Sequence, residues 1–453
     1  MKRKMAEKKQ VVPIAAGIIV FAAATVGLVV ALTRDRSVMS NVFEIGDYRV
    51  QFIDTFTSPQ NWLTGQTVSK EIRVKNDTTT PVVARIKLTE TWDSKDGVGL
   101  PLVGAQSNVR MAVVNYTENS GWTLDGTWYY SPVLQPGETS TSLITGVTLN
   151  QDADLGADWR YGGATYKLSA KAEVIQSELA ATEWHKKASV TVCSMSSKAY
   201  ALNNNSGGYF DIERVTAKPS FTDEDSNYYV QIEDESNVPV YLWLDNATIK
   251  WFSEADDIYL IENESCRPGS GFLSNTVYLN SLLGLSDLNT SRMTSMANLF
   301  ESSNRLTSLA GLENWDTSNV TSFNDLFYTG GNGSITDIAA LARWDVSKVT
   351  DMRYAFSGHK VVDVSPLAAW NVRSVGDYYY MFVHNLIRES ICSLADWPVK
   401  RDASGFGMFD VKYTAGSSGP TVDAHCLDGW NIIREKSYDW FDGRTFILPS
   451  WAH

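Results

Sequence analysis

The feature that most constrains this chain is a pattern of about 27 residues that recurs from Leu282 to Phe441. Each copy carries a Trp, or once a Leu, and a Phe about twelve residues later. A unit of this length cannot enclose a core alone, so stacked copies must bury each other's apolar faces. We therefore expect the paired positions to form a repeat core: Leu288, Phe300, Trp315, Phe327, Trp344, Phe356, Trp370, Phe382, Trp397, Phe409, Trp430 and Phe441.

Each repeat has two apolar segments with different spacing. Upstream of the Trp, apolar residues recur in steps of three, as in Ile338, Leu341 and Trp344. Downstream, Val349 is followed by apolar residues three and seven positions later, which is the spacing of one face of a helical turn. The pattern predicts an extended rung before each Trp and a short helical turn after it.

A polar segment joins the two parts, for example Asp-Thr-Ser-Asn at 316–319 and Asp-Val-Ser-Lys at 345–348. Asp, Asn and Ser side chains cap free amides, so we expect these segments to satisfy the corners of the array. A calcium-binding row is the alternative, but the carboxylates lack the dense spacing it requires. Likewise, we expect Asn150–Asp158 to be a solvated acidic turn, because Leu155 and Tyr161 stand where a calcium loop has Gly and Glu.

The repeats resemble those of a known family. The segments Trp315–Phe327 and Trp344–Phe356 are similar to the BspA-type, 26-residue repeats of bacterial surface proteins. This resemblance implies a leucine-rich-repeat-type solenoid over residues 281–453, with a carboxyl-terminal cap. It also implies that residues 188–280 hold a linker and the amino-terminal cap of the solenoid.

Residues 37–187 alternate apolar and polar side chains. Val82–Trp92 and Tyr166–Val174 each place apolar residues on one face and charged or hydroxyl residues on the other, which is the period of half-buried strands. Turn signals such as Gln-Pro-Gly at 135–137 separate these runs. The pattern predicts a mainly β chain that begins with an antiparallel β-sandwich, with a further strand-like run over Pro239–Phe252.

This region also resembles a family. The segment Asn-Val-Phe-Glu-Ile-Gly-Asp-Tyr-Arg-Val at 41–50, with 68–76, 83–92 and 133–139 in the same order, is similar to BsaA/TasA-type proteins. The resemblance implies an exported β-sandwich of a biofilm matrix or surface, released by a SipW-type signal peptidase. For this chain, the resemblance implies cleavage near Leu32.

Residues 1–36 predict export. Lys and Arg residues precede an uncharged, mostly apolar run from Val11 to Leu32. The run is long enough to cross a bilayer as a helix, so it is compatible with a cleaved signal and with a single-pass membrane anchor. Either way, the rest of the chain would lie outside the cell. With 32 Lys and Arg against 50 Asp and Glu, it carries a net charge of −18, which disfavours nucleic acid as a partner.

The sequence contains no recognisable catalytic motif. Gly-x-Ser-x-Gly, phosphate-binding loops and Cys-x-x-Cys are absent, and the five His are scattered. We therefore expect no catalytic residue, cofactor or metal site. Cys392 and Cys426 fall near the same phase of adjacent repeats, which is compatible with a disulfide and with free buried thiols.

Two functions from different classes fit these expectations. The first is a non-enzymatic surface or secreted protein whose solenoid mediates adhesion to a host or neighbouring-cell protein or glycan, with contacts from Tyr328–Gly333 and Asp410–Asp423. The second is a biofilm-matrix subunit whose β domain self-assembles by strand addition. A glycan-acting enzyme is a minor third function, because paired carboxylates need not be close in sequence.

Overall fold

The computed structural model describes the chain in segments, and within them the fold is mainly β, with one α-helix and several short 3₁₀ turns. This confirms the predicted class. The described residues are 19–20, 36–45, 48–57, 62–191, 210–216, 228–231, 238–245, 248–255, 257–261, 273, 279–387, 389–409, 422–430, 432, 440, 446–447 and 449–450.

The first part, residues 36–183 together with the strand Ile19–Val20, is called the β unit. Two antiparallel sheets build it, and one core cluster draws on both of them. The strands are β1 Ile19–Val20, β2 Arg36–Ile45, β3 Tyr48–Thr57, β4 Thr67–Asn76, β5 Val82–Asp93, β6 Gly99–Leu100, β7 Ala112–Tyr116, β8 Thr123–Asp125, β9 Trp128–Tyr130, β10 Ile144–Leu149 and β11 Thr165–Gln176. One sheet has the order β1-β11-β5-β9-β8 with β6 on β5, and the other has the order β2-β3-β4-β10-β7.

The two predicted strands of this region are confirmed as β5 and β11, which pair antiparallel along their full length. The face that carries Ala84 and Ile86 is buried, as the alternation predicts. The opposite face is solvated only in part, because Arg85 and Glu173 are also buried whereas Thr89 is exposed. The helix α1 (Ser177–Glu183) and the residue that follows it, Trp184, pack over that face, and the sequence pattern did not reveal this cover.

Strands between the β unit and the repeats extend the repeat core. The predicted single run over Pro239–Phe252 is a hairpin of two strands, and Val240, Leu242 and Trp251 join the same hydrophobic cluster as the repeats. The strands are β12 Lys187–Thr191, β13 Phe210–Arg214, β14 Tyr228–Gln231, β15 Val240–Asp245, β16 Thr248–Ser253, β17 Asp257–Ile261, β18 Leu279–Ser281 and β19 Leu288–Asn289.

Residues 282–440 are called the repeat stack. 3₁₀ turns precede Leu288 and four of the five repeat Trp residues, so the predicted extended rung was wrong at these positions. The steps of three match the period of a 3₁₀ helix, which has three residues per turn. Short strands β20 (Val422–Asp423) and β21 (Phe446–Ile447) pair near the carboxyl end. The 3₁₀ turns are Leu283–Leu285, Ala339–Leu341, Ser365–Leu367, Glu389–Leu394 and His425–Leu427.

The segment after each Trp hydrogen bonds in register with the next repeat. The amides of Asp325 and Phe327 donate to the carbonyls of Arg353 and Ala355, each at 2.9 to 3.0 Å. The amide of Leu326, between them, donates within its own repeat. Because alternate amides point to the neighbouring copy, this segment behaves as the strand-like part of the repeat.

The expected repeat core is buried and stacked. The indole rings of Trp370 and Trp397 lie 6.4 Å apart, and Phe356 and Phe382 lie 5.3 Å apart. Phe441 lies outside the described residues, although the preceding Trp440 is buried. The buried members are Leu288, Phe300, Trp315, Phe327, Trp344, Phe356, Trp370, Phe382, Trp397, Phe409 and Trp430.

Polar residues at the repeat corners cap the backbone. The carboxylates of Asp316 and Asp345 accept hydrogen bonds from the amides two residues later. The Thr317 hydroxyl donates to the Asp345 carbonyl of the next repeat at 2.9 Å. These bonds match the predicted structural role. The acidic turn at 150–158 differs from its prediction in one residue, since Asp158 is buried and accepts from two amides of the 106–107 loop.

Two sequence expectations concern segments described in part. Only Ile19 and Val20 of the apolar amino-terminal run are described, and they form β1 against β11. Among the described residues, no helix has the length and apolar character needed to cross a bilayer. Cys392 and Cys426, left open by the sequence, form a disulfide that links adjacent repeats.

His359 is a buried titratable group in the repeat stack. Its Nε2 donates to the Phe327 carbonyl, and its Nδ1 accepts from the Ile335 amide at 3.4 Å. Burial disfavours the charged ring and lowers the pKa of His359 to about 4. The imidazole is therefore neutral in the folded protein across the physiological range.

Acidification is expected to destabilise the protein through His359. Its pKa of about 4 in the fold lies below the ordinary 6.5, so the unfolded chain takes up a proton that the folded chain excludes. The free energy of unfolding should therefore decrease as the pH falls, by about 2 kcal/mol between about pH 7 and about pH 5. Urea unfolding of the wild type and His359→Gln at both pH values measures this effect. An equal loss in both proteins would contradict it.

The β unit contacts the repeat stack at the residue that precedes three of the repeat Trp residues, among other positions. Arg343 pairs with Asp93, and Ala369 belongs to the core cluster of the β unit. Asp396 accepts a hydrogen bond from Trp159 Nε1 at 2.8 Å. Three successive repeats therefore contact the β unit through the same position, and Asn371, Arg373 and Ser393 add hydrogen bonds to it.

Candidate functional site: an aromatic strip on the repeat stack

Five aromatic side chains form a connected strip on the surface of the repeat stack. Tyr328, Tyr354 and Tyr379 contact in sequence, with ring centroids 5.5 and 5.4 Å apart. Tyr380 lies 4.4 Å from Tyr379, and Phe406 lies 5.6 Å from the same ring. These residues come from four successive repeats, so the strip runs along the stack.

The strip is accessible to a ligand. Phe406 keeps 41% of its surface exposed, and the four Tyr side chains are half-buried. By contrast, the repeat-core Phe residues beside them are at most 2% exposed. Aromatic rings that are held by one another, and left open on one side, provide a rigid apolar surface for binding.

Two strip residues occupy an unusual backbone conformation. The residue two positions before each core Phe has a positive φ in all five aligned repeats. Asn298, Asp325 and Gly407 suit that left-handed region, but Tyr354 and Tyr380 adopt it with φ of 56° and 52°. A bulky residue there destabilises the backbone, and such positions cluster at functional sites.

The next repeat makes room for one of these rings. Gly407 has φ of 62°, and a Cβ added to it would lie 2.1 Å from the Tyr380 ring. The ring therefore rests directly on the glycine backbone. This contact fixes the orientation of Tyr380 without covering its outer face.

A group of carboxylates lies beside the strip at Tyr354. Asp351 is held by Arg353 through a bond of 2.7 Å from Nη2, and Asp377 lies 3.9 Å from Arg353 Nε. Asp325 and Glu301 lie towards the amino-terminal end, where burial and the nearby charge of Asp325 raise the pKa of Glu301. The Arg353 guanidinium thus faces the three carboxylates of Asp325, Asp351 and Asp377, and Glu301 adds a fourth negative charge beside Asp325.

The pKa shifts of Asp325 and Tyr354 agree with this charge distribution. Burial raises the pKa of Asp325, and Asp351 adds to the rise while Arg353 opposes it. Burial and the neighbouring Tyr379 raise the pKa of Tyr354 to about 12. The Tyr354 hydroxyl is therefore neutral near pH 7, and its uncharged ring lies beside the carboxylate of Asp325.

Replacing Tyr354 by Asn is expected to leave stability nearly unchanged. Asn favours the left-handed conformation, and this gain of about 1 kcal/mol offsets the loss of ring contacts worth about 0.5–1.5 kcal/mol. Phe356→Ala, two residues later in the core, should instead destabilise the protein by about 3–5 kcal/mol. Urea unfolding of both variants measures the contrast. A comparable loss in Tyr354→Asn would identify its ring as structural.

A second concave feature lies between the β unit and the repeat stack. It has a volume of about 510 Å³ and is lined by Trp159, Arg160, Ser365 and Asp396, among others. Arg160 pairs with Asp396 at 3.1 Å, and Trp159 also bonds to this carboxylate. Its polar groups thus hold the two units together, so the strip is the better candidate site.

Sequence reasoning identified the core positions of the repeats but not the strip. Of the predicted contact insertions, Tyr328 belongs to the strip, whereas most of Asp410–Asp423 lies outside the described residues. The available signal was the recurrence of Tyr at the second and third positions before successive core Phe residues, at 354, 379 and 380. Within the described residues no group of three or more His, Cys, Asp or Glu could hold a metal ion.

Comparison with known proteins adds a family similarity in the repeat stack. A family model described as "Mycoplasma protein of unknown function, DUF285" matches residues 270–391 and 330–415. These matches span less than half of the 453 residues, and they include the whole aromatic strip. No curated protein and no solved structure was found to be similar to this chain.

Proposed function

We propose that this chain is a non-enzymatic bacterial surface or secreted protein that binds an extracellular protein or glycan through its repeat stack. The observation that carries the proposal is the aromatic strip, whose rings are accessible although its core neighbours are buried. Two of its Tyr residues adopt a backbone conformation that folding alone does not favour. A binding role accounts for both features.

In this proposal the repeat stack is a leucine-rich-repeat-type solenoid and the β unit is an antiparallel β-sandwich. In-register hydrogen bonds between repeats, such as that from the Phe356 amide to the Met381 carbonyl, support the first assignment. A core shared by two antiparallel sheets supports the second. The β unit then holds one edge of the solenoid and leaves the strip accessible.

The sequence of residues 1–36 and the BspA-type and BsaA/TasA-type resemblances support export and a surface location. The amino-terminal segment would engage the membrane during export or remain as an anchor. The proposal requires no cofactor, since ring faces and carboxylates alone can form a recognition surface. It also requires no catalysis.

Cell adhesion tests this function. The full chain, coated on beads, is compared with a strip variant carrying Tyr354→Asn and Tyr380→Gly for retention on bacterial cells, epithelial cells and a glycan array. Both replacements suit the left-handed backbone, so the variant should fold. Retention by the wild type and its loss in the strip variant is the expected result. Equal retention of both proteins on every surface would refute the proposal.

Self-assembly through the β unit is the second candidate function. Its edge strand β7 exposes Val113 and Tyr116, at 39% and 44% of their surfaces, and an exposed edge can accept another strand. A matrix subunit would form polymers without a partner as concentration rises. Sedimentation of residues 37–453 decides between the two, because a binding protein should sediment as a monomer throughout.

A further inference from the structure

The chemistry of the aromatic strip restricts the ligand it can accept. Its Tyr faces are electron-rich, and an aromatic face attracts a cation placed over it. The same attraction occurs within this chain, where Arg292 lies 3.9 Å from the centre of the Tyr259 ring and Arg160 lies 4.5 Å from Trp159. The rings of the strip therefore favour positively charged ligands.

The margin of the strip has the complementary charge. Asp325 acts on the Tyr354 ring and belongs to a group of carboxylates with Glu301, Asp351 and Asp377, whose charge Arg353 balances only in part. Glu301 and Asp325 repel each other, which an approaching cation would relieve. An anionic ligand would meet the opposite, unfavourable potential.

The shape of the strip indicates an extended ligand. The rings come from four successive repeats, with neighbouring centroids 4.4–5.6 Å apart. A single small cation would contact one or two rings and leave the others uncovered. A chain that carries several cationic groups can contact rings and carboxylates along the whole strip.

We propose that the aromatic strip binds an extended polypeptide segment rich in Lys or Arg. This inference rests on the proposed binding function and names its ligand class. The ammonium or guanidinium groups lie over Tyr354, Tyr379 and Tyr380, and the carboxylates of Asp325 and Asp377 pair with them from the sides.

The test uses the full chain and a fluorescent oligolysine peptide, with the same peptide acetylated on every Lys as the uncharged control. Fluorescence anisotropy should show that oligolysine binds the wild type at least about tenfold more tightly than the strip variant with Tyr354→Asn and Tyr380→Gly. Both proteins have the same net charge, so the general attraction of the peptide to an acidic protein contributes equally to the two affinities. The acetylated peptide should bind neither protein.

A second pair of variants tests the carboxylates. Asp325→Asn introduces the residue type that the equivalent position of another repeat carries, at Asn298. This substitution should weaken oligolysine binding about two- to fivefold. Asp152→Asn removes the same charge from an exposed site on the β unit and should leave affinity unchanged. Circular dichroism verifies that each variant is folded.

Other outcomes would overturn the inference. Equal affinity of oligolysine for the wild type and the strip variant would mean that only overall charge attracts the peptide. If a chito-oligosaccharide bound the wild type but not the strip variant, and oligolysine bound neither, the ligand would be a glycan instead of a cationic peptide. The proposed binding function would still hold. If the strip variant lost adhesion but the wild type bound none of these probes, the cationic ligand would be refuted and the proposed binding function would still hold.

Discussion

Trp370→Ala is expected to destabilise the protein by about 3–5 kcal/mol, among the largest effects of any single substitution in the repeat stack. Its indole is fully buried and stacks on Trp397, with Phe323 and Phe356 also within 6.4 Å. Truncation removes these contacts and leaves a cavity that the rigid neighbouring repeats cannot fill. It also leaves the Leu341 carbonyl without the bond that Trp370 Nε1 donates at 3.0 Å.

Two further variants separate these contributions. Trp370→Phe keeps a ring in the stack but removes the indole N–H, so it should lower the free energy of unfolding by about 1–3 kcal/mol. Phe406→Ala truncates an aromatic residue of the same stack that is 41% exposed, and it should change stability by less than about 1 kcal/mol. Urea unfolding measures all three. If Trp370→Ala and Phe406→Ala lost equal stability, the buried ladder would not be the main source of repeat cohesion.

The effect of Trp370→Ala should also spread to neighbouring repeats. In a stack, each repeat is stabilised mainly by the repeats on either side. The Trp370 ring contacts residues of the preceding repeats as well as Trp397 of the following one. Hydrogen exchange of the Phe356 and Phe382 amides, which both bond across repeats, should therefore accelerate together.

The repeat core could be predicted from the sequence because its spacing is regular. A Trp and a Phe that recur in register can satisfy their contacts only in a stack, so the core positions follow without coordinates. The strands β5 and β11 were predictable for a similar reason, since alternation over many residues has one simple interpretation. In both cases the signal is a period, and it depends little on distant parts of the chain.

The order of segments within a repeat was not predictable in the same way. Steps of three fit both a rung in which every third residue points inward and a 3₁₀ turn. The structure has the 3₁₀ turn before Trp344, at Ala339–Leu341. After the Trp, hydrogen bonds to the next repeat, such as that from the Met352 amide to the Asp377 carbonyl, interrupt the helical pattern that the local spacing predicts. Contacts between repeats therefore decide a choice that local spacing leaves open.

The candidate site was predictable only in outline. Solvent exposure of Tyr354 and Tyr380 depends on the left-handed backbone of their position, and the sequence favours that conformation for Asn298 and Gly407 but not for Tyr. The position of the β unit also matters, because residues such as Asp396 are occupied by it. Neither fact has a local sequence signal.

Glu173→Gln is the second substitution expected to have a large effect, about 3–5 kcal/mol of lost stability. Glu173 on β11 lies opposite Arg85 on β5, and its carboxylate accepts from Arg85 Nε at 2.8 Å. Both side chains are at most 5% exposed. The Arg85 guanidinium also lies between the rings of Trp128 and Trp184, at 4.4 and 4.7 Å. Without the carboxylate, a buried cation loses its counter-charge and cannot reach water.

The reverse substitution should have a smaller effect, and this asymmetry makes the prediction specific. Arg85→Met leaves Glu173 paired with Lys171 at 2.9 Å, and Lys171 is 42% exposed, so the remaining charges stay partly solvated. The double variant Arg85→Met, Glu173→Leu removes both buried charges and should unfold within about 1 kcal/mol of the wild type, because apolar groups can replace a buried ion pair. Urea unfolding of the three variants completes the cycle. A double variant as unstable as Glu173→Gln would mean that side-chain shape, rather than the loss of the Glu173 charge beside Arg85, lowers the stability.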